Sequence, residues 1–432
     1  MNRSIFKEFI QYVSLNILGQ MAYSCYTLAD TFFVSSSLGT IGLTALNLAF
    51  PFFCIVNGTG LMIGIGGGAA FSISKNRGKS DAANNIFTHA VYLVTVFSAL
   101  FFFLGIFFSK IIVTFLGADQ SILNITNTYL KTLLLFSPAF LINHLLQCFV
   151  RNDGKPSLSM TAMMIGSFSN IILDYIFIFP LNMGIFGAAF ATGLSPLISI
   201  GILLPYLISK KKNFHFRKSC IHWHLVKNIV TSGVPPFLTE VTSGIVMFLF
   251  NFIILRISGN TGVAAFGVIT VISLVVVALY TGLSQGIQPL LSRYCGLQQP
   301  ENIRFIAWQS FISTLLLSFA IYAFIFCNAP FLVHVFNSEN NLLLKTLAVN
   351  GLKIYFTACP FIGFNIVCAT LFISIGKPAP AQIISLLRGF FILIPMAFLC
   401  SYLWGMNGVW WACPATELTV AIVSAFLLLF RH

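Results

Sequence analysis

Twelve apolar stretches, each long enough to cross a bilayer as a helix, follow one another along this chain with only short polar breaks between them. They fall near 9–36, 46–74, 87–115, 124–149, 158–180, 185–209, 229–256, 264–291, 306–336, 344–373, 380–403 and 408–430. A spanning helix needs about 20 apolar residues. Lipid offers no partner to an open strand edge, and these runs are too long and too uniformly apolar for barrel strands. The expectation is therefore an all-α integral membrane protein with twelve transmembrane helices. Composition agrees: only 8% of the 432 residues are charged and 58% are hydrophobic, against about 25% charged in soluble domains. Such a chain cannot cover a water-facing surface, which excludes soluble enzymes, nucleic-acid-binding modules and disulfide-stapled scaffolds.

The net charge of +13 then needs a membrane explanation. Seventeen of the 23 basic residues, Arg3, Lys7, Lys75, Arg77, Lys79, Arg151, Lys155, Lys210, Lys211, Lys212, Arg217, Lys218, Lys227, Arg293, Arg304, Lys377 and Arg431, fall at the termini or in alternate loops. Lys110, Lys131, Arg256, Lys345 and Lys353 fall on or near the other side, and Arg388 lies inside a span. By the positive-inside rule both termini and the longest loop, 210–228, are cytoplasmic. The basic excess reads as topology and attraction to lipid headgroups, with no nucleic-acid partner. The ten cysteines are scattered without a CxxC pair and read as small buried apolar residues. The N-terminus lacks a cleavage signal and reads as the first span.

The chain also repeats itself. At a shift of about 220 residues, Gly39-Thr40-Ile41-Gly42 overlies Gly259-Asn260-Thr261-Gly262. At 222, Lys131, Pro138, Asn143 and Gly154-Lys155-Pro156 overlie Lys353, Pro360, Asn365 and Gly376-Lys377-Pro378, and Gly184 and Gly187 overlie Gly405 and Gly408 nearby. This predicts a six-helix lobe over 1–209, a basic linker over 210–228 and a second lobe over 229–432. Six spans per repeat make the halves parallel, facing each other across a central cleft, an arrangement of secondary transporters.

Of the ten acidic residues, Glu8, Asp81, Asp119, Asp153, Glu301 and Glu339 fall in termini or loops, leaving Asp30, Asp174, Glu240 and Glu417 inside spans. An acid at a helix centre costs about 2.5 kcal/mol or more on insertion scales, so each is a functional candidate. Asp30 shares a polar face with Tyr23, Ser24, Tyr26, Thr27 and Thr31. Asn170 precedes Asp174 by four residues, which puts both on one helical face, suited to hold a cation or share a proton. Glu240, just after Gly233-Val234-Pro235-Pro236, reads as a cavity acid for a cationic substrate. Glu417 is expected either to line the cleft or to bond Trp410 or Trp411. Tyr26, Phe33, Phe53, Phe136, Phe250 and Tyr280 are candidates for an adaptable aromatic wall where a lipophilic cation gains cation–π attraction.

At these residues the sequence resembles the multidrug and toxic compound extrusion (MATE) transporters. The resemblance rests on Asp30 through Leu46-Asn47 to Pro51, on Asn170 to Asp174 followed by Gly184 to Thr192, on the repeated Gly-Lys-Pro, and on Phe237 to Glu240. It implies export of amphipathic, mainly cationic drugs or metabolites across a bacterial plasma membrane, driven by inward sodium or proton flow. It also implies a coupling site of Asp30, Asn170, Asp174 and Thr192. It implies no cofactor, and no metal beyond sodium at that site. The tenth span carries no acid to partner Glu240, so a second-half cation pair is incomplete. The first span has Gly19 but no proline, so a proline-driven bend of that helix is not expected.

A lipid-linked oligosaccharide flippase of the same broad superfamily is the alternative. It would need several arginines or lysines in the cavity, whereas the clearest midspan charges are acidic. Gly64 and Gly66-Gly67-Gly68 lie inside a span and read as close helix packing. Cys220, His222, His224 and His215 sit in the basic loop, and His144 reads as a buried neutral histidine.

Overall fold

The computed structural model describes residues 2–336 and 341–429; Glu339 and Arg431 lie outside them. Every described element is helical, and dividing the long helices at the non-helical glycines Gly39, Gly259 and Gly405 gives twelve spans among the described residues. Helices α1 (2–38) and α2 (40–76) are separated by a turn at Gly39. Then come α3 (Ser80–Phe115) and α4, built from Leu123–Leu135 and Ser137–Asn152 at 46° to each other. The bend sits at Pro138, whose ring cannot continue the hydrogen-bond ladder. Helices α5 (Pro156–Ile178) and α6 (Gly184–Ile208) complete the first half.

The second half repeats the plan. Trp223–Gly296 is broken at Gly259 into α7 (223–258) and α8 (260–296), followed by α9 (Pro300–Phe336) and α10 (Leu342–Ser374). Helix α11 (378–404) contains a π-helical turn at Leu387–Phe391, and Gly405 separates it from α12 (406–429). Because α7 begins at Trp223, the end of the expected loop is helical. Helix α1 contains no proline and runs unbroken to Gly39.

The internal shift reappears in the backbone. Gly39 (φ 61, ψ −146) and Gly259 (φ 60, ψ −155) share one conformation, and positive φ recurs in the pairs Gly154 with Gly376 and Gly184 with Gly405. A side chain is barely tolerated near φ +60, ψ −150. A Cβ on Gly259 would touch nothing within 4 Å, so only backbone strain opposes one. Gly259→Ala is expected to destabilise the protein by about 1–3 kcal/mol, read as a lower Tm in detergent; an unchanged Tm would contradict this. In each Gly-Lys-Pro the glycine ends one helix, lysine caps the next and proline occupies its first turn, where its missing N–H is harmless.

Each half has its own apolar core: one around Phe71, Phe149 and Leu134, the other around Phe250, Phe356 and Trp410. Two smaller clusters join the halves. Ile5, Phe9 and Val13 of α1 pack on Leu283, Ile287 and Leu290 of α8, and Ala69 of α2 packs on Cys368 and Phe372 of α10. Two glycine-lined crossings allow this approach. A Cβ on Gly286 would lie 2.8 Å from Val13 Cα, and one on Gly66 only 2.2 Å from the Ile229 carbonyl oxygen. These crossings are related by the same shift, with Gly66 matching Gly286 and Val13 matching Gly233. Small residues at a crossing let backbones touch and supply the dispersion contacts that hold helices together in lipid. The halves thus pack closely at the end that carries the N-terminus.

Candidate functional site

Helices α1, α5 and α6 bring together all four residues of the expected coupling site. Asp30, Asn170, Asp174 and Thr192 are all buried, Asn170 and Asp174 completely. The Asn170 amide is satisfied when its Nδ2 donates to Asp174 Oδ2 at 2.9 Å and its Oδ1 accepts from the Thr192 N–H at 3.2 Å. Asp30 and Asp174 interact through space, and each leaves one buried carboxylate oxygen, Oδ1, without a hydrogen-bond partner. Two neighbouring buried acids with spare oxygens form a donor set suited to a proton or a hard monovalent cation. Tyr26 of α1 and Tyr129 of α4 lie within electrostatic reach of both acids. Tyr129 escapes sequence reading because its helix is remote in the chain from either acid.

Glu240 lies on the other side of the cleft, on α7, and meets the first half through Asn57, whose Nδ2 donates to Glu240 Oε2 at 3.2 Å. It lines a cavity of about 100 Å³ at the joined end, together with Arg151, Thr281, Gln285, Asn365 and Arg388. Drug-sized ligands need about 300–1,000 Å³, so this cavity alone would not enclose one.

Two arginines lining that cavity correct the sequence reading. Arg151, counted above among loop charges, occupies the last turn of α4 and is 2% exposed. Its Nη1 donates to Asn16 Oδ1 at 2.8 Å and to Gln285 Oε1 at 2.7 Å, while Asn152 and Gln288 bond beside it. Arg388, on the π-helical turn of α11, pairs through Nε with Glu417 Oε1. Glu417 also accepts from Asn365 Nδ2 at 2.8 Å, so its partners are Arg388 and Asn365 and not the expected tryptophans. Breaking a buried ion pair from one side strands a charge at about 3–5 kcal/mol. Arg388→Leu should therefore lower Tm sharply and Arg388→Leu with Glu417→Leu much less; equal losses would contradict the pairing.

The aromatic candidates scatter. Tyr26 stacks edge-on with Tyr23 at 4.9 Å beside the acid pair. Phe33 packs on Tyr175 and Phe179, Phe53 on Phe140, and Phe136 on Phe190, within the first half. Phe250 and Tyr280 are each 1% exposed; Phe250 stacks on Phe266 and the Tyr280 hydroxyl bonds Ser318 at 2.7 Å. The structure places that last pair in the core cluster of the second half.

The segment between the halves is fastened to the first. Asp153 accepts from Lys75 at 2.5 Å, from the Tyr206 hydroxyl at 2.6 Å and from the Asn213 N–H at 2.9 Å. The His222 N–H donates to His89 Nε2 at 2.9 Å.

The sequence matches the MatE family over residues 16–176 and again over 235–399, once in each half. The chain belongs to the MatE family. Similar MatE-type relatives include the multidrug export protein MepA of Staphylococcus saprophyticus, 25% identical, with 99% of this chain and 94% of that protein covered. MepA of Staphylococcus aureus strain MSSA476 is 23% identical, covering 98% and 93%. Among solved structures, MATE in complex with MaL6 superposes with a TM-score of 0.93 at 23% identity, over 98% of this chain and 96% of that one. An outward-facing multidrug resistance MATE family transporter of the MOP superfamily gives 0.92 at 22% identity, over 98% and 95%. These likenesses establish the MatE fold, twelve transmembrane helices in two parallel halves.

Proposed function

We propose that this MatE protein is a cation-coupled antiporter that exports amphipathic, mainly cationic small molecules across a bacterial plasma membrane. The observation that carries the reading is the buried Asp30/Asp174 pair, each with an unpartnered oxygen, together with Glu240 on a cavity lined by both halves. The names of the MepA relatives support multidrug export as the cargo class. The basic residues cluster at the joined end, so the termini and the linker are taken as cytoplasmic and the cleft as facing outward. The lobes are taken as 1–209 and 229–432, joined by the linker at 210–228.

In this reading Glu240 attracts the cationic head while the apolar wall takes up the rest of the molecule. A sodium ion or proton reaching Asp30 and Asp174 from outside favours the state that releases the drug. Rocking of the halves then opens the other side, where the cation leaves. Neither ligand needs to push on the other; each need only bind the two states with different affinity.

The test is ethidium efflux from proteoliposomes, with a sodium gradient and a pH gradient imposed in turn. One gradient is expected to accelerate efflux. Gradient-independent behaviour in correctly inserted protein would overturn the proposal. Arg151 and Arg388 in the Glu240 cavity are the feature that favours the second reading, a lipid-linked flippase. Arg388 is neutralised by Glu417 and Arg151 is held by Asn16 and Gln285, so the cationic-drug reading is preferred. Transbilayer movement of a fluorescent lipid pyrophosphate, with no effect of either ion, would reverse that preference.

A further inference from the structure

Arg151 carries a charge that the protein does not answer. It is 2% exposed, and a guanidinium stays protonated wherever it is placed. Its Nη1 donates to the Asn16 and Gln285 amide oxygens and its Nη2 to Cys148 Sγ at 3.5 Å, so every partner is neutral. Its Nε has no hydrogen-bond partner among the described residues, and none of the ion pairs among them includes it. The nearby Asp153 is taken up by Lys75, Tyr206 and Asn213. Glu240 bonds to Asn57, whose Oδ1 lies 2.6 Å from His144 Nε2. Buried charges in proteins are paired, because taking a lone one out of water is costly.

A second guanidinium lines the same cavity of about 100 Å³, that of Arg388 from the other half. Only its Nε is engaged, by Glu417 Oε1; among the described residues its two Nη groups meet no acceptor. A single water needs only about 10–15 Å³ of such space, so the cavity has ample room for a small ion although it is too small for a drug.

We propose that this cavity is an anion site, in which a small monovalent anion such as chloride accepts from Arg151 Nε and Arg388 Nη and supplies the counter-charge that Arg151 lacks. Hydrogen bonds between charged partners are about twice as strong as neutral ones, and a spherical halide accepts them from any direction, which suits two guanidinia arriving from α4 and α11. Glu240 on the same wall and Glu417 behind Arg388 would repel a multivalent oxyanion, so a single negative charge is favoured. The two arginines belong to opposite halves. The ion therefore bridges the halves while the end that carries the N-terminus is closed, and it loses a ligand when that end opens. A ligand that binds one state better shifts the equilibrium toward it, so the anion favours the closed end whatever the cargo.

The experiment is thermal unfolding of the full-length protein in nanodiscs at one pH and one sodium concentration, with chloride replacing gluconate stepwise. Constant pH and sodium hold the Asp30/Asp174 pair in one state, and gluconate is too large for the cavity. The apparent Tm is expected to rise with chloride and level off, as mass action requires of a site that fills, and bromide should act alike. Arg151→Gln keeps a donor toward Asn16 and Gln285 but has no charge to neutralise, so its Tm should stay flat across the series. Arg388→Lys keeps the pair with Glu417 but has no Nη groups, and should need several-fold more chloride for the same rise. A flat response in the wild type, or a rise that survives Arg151→Gln, overturns the inference. Crystals grown in bromide give a reading that needs no variant: an anomalous peak is expected between the two guanidinia, and no peak at a concentration that saturates the Tm rise overturns the site. None of these readouts involves gradient-driven efflux, so the export reading stands or falls separately.

Discussion

Asp174→Asn is expected to reduce gradient-driven ethidium efflux to the rate seen with no gradient, with the protein still folded and inserted. The amide keeps the shape and the Asn170 contact but removes the charge and the spare oxygen that receive the coupling ion. Coupling between two ligands of one transporter is typically about 1–3 kcal/mol, or about 5- to 150-fold, and removing it should forfeit that whole factor. Asp30→Asn should have the same effect. Because the two acids form one site, the double variant should be no worse than either single one, the non-additivity expected of groups acting as a unit. Rates that fall in proportion with each substitution would mean two independent sites, and unaltered rates would mean that the pair is structural.

Gly66→Leu is the second large expectation, and it acts on the scaffold. The Ile229 carbonyl oxygen would lie 2.2 Å from the new Cβ, and at the same crossing the Met62 carbonyl oxygen lies 1.9 Å from a Cβ built on Gly233 of the facing helix. Both obstacles are backbone, so no side-chain adjustment relieves them, and the joined end cannot form as it stands. Efflux should be lost while insertion is retained. In a cysteine-free background, Leu291→Cys, fully buried at the joined end in the parent, should become reactive to maleimide once Gly66→Leu is added. Gly201→Leu, at a position where a Cβ meets nothing within 4 Å, is the control and should leave both readouts unchanged. Slow labelling in Gly66→Leu would mean that the crossing is not what keeps that end shut.

Much of this architecture could be read from the sequence because membrane folding rewards local patterns. An apolar run of spanning length specifies a helix whatever surrounds it, and the glycines at 39, 259, 184 and 405 are visible because only glycine serves at their backbone angles. Asp30 and Asp174 stood out because an acid in lipid demands a reason. What could not be read depends on partners far apart in the chain. Arg151 sits one turn from a loop, so its position alone did not separate a cytoplasmic charge from a buried one; Asn16 and Gln285, brought to it by other helices, make the difference. The Arg388–Glu417 pair joins two helices, and His144, Asn57 and Glu240 come from three. Phe250 and Tyr280 carried no sequence signal that distinguishes a core ring from a cleft ring.

The central claim is that a coupling ion at the Asp30/Asp174 pair and a drug at Glu240 favour opposite states of one conformational equilibrium, and reciprocity makes it measurable in reverse. Proteoliposomes at equal pH and equal sodium on both sides should, on imposition of an ethidium gradient alone, move protons or sodium ions opposite to the drug, and Asp174→Asn should abolish that ion movement. Ethidium that equilibrates with no counter-movement of either ion in the wild-type protein would contradict the account.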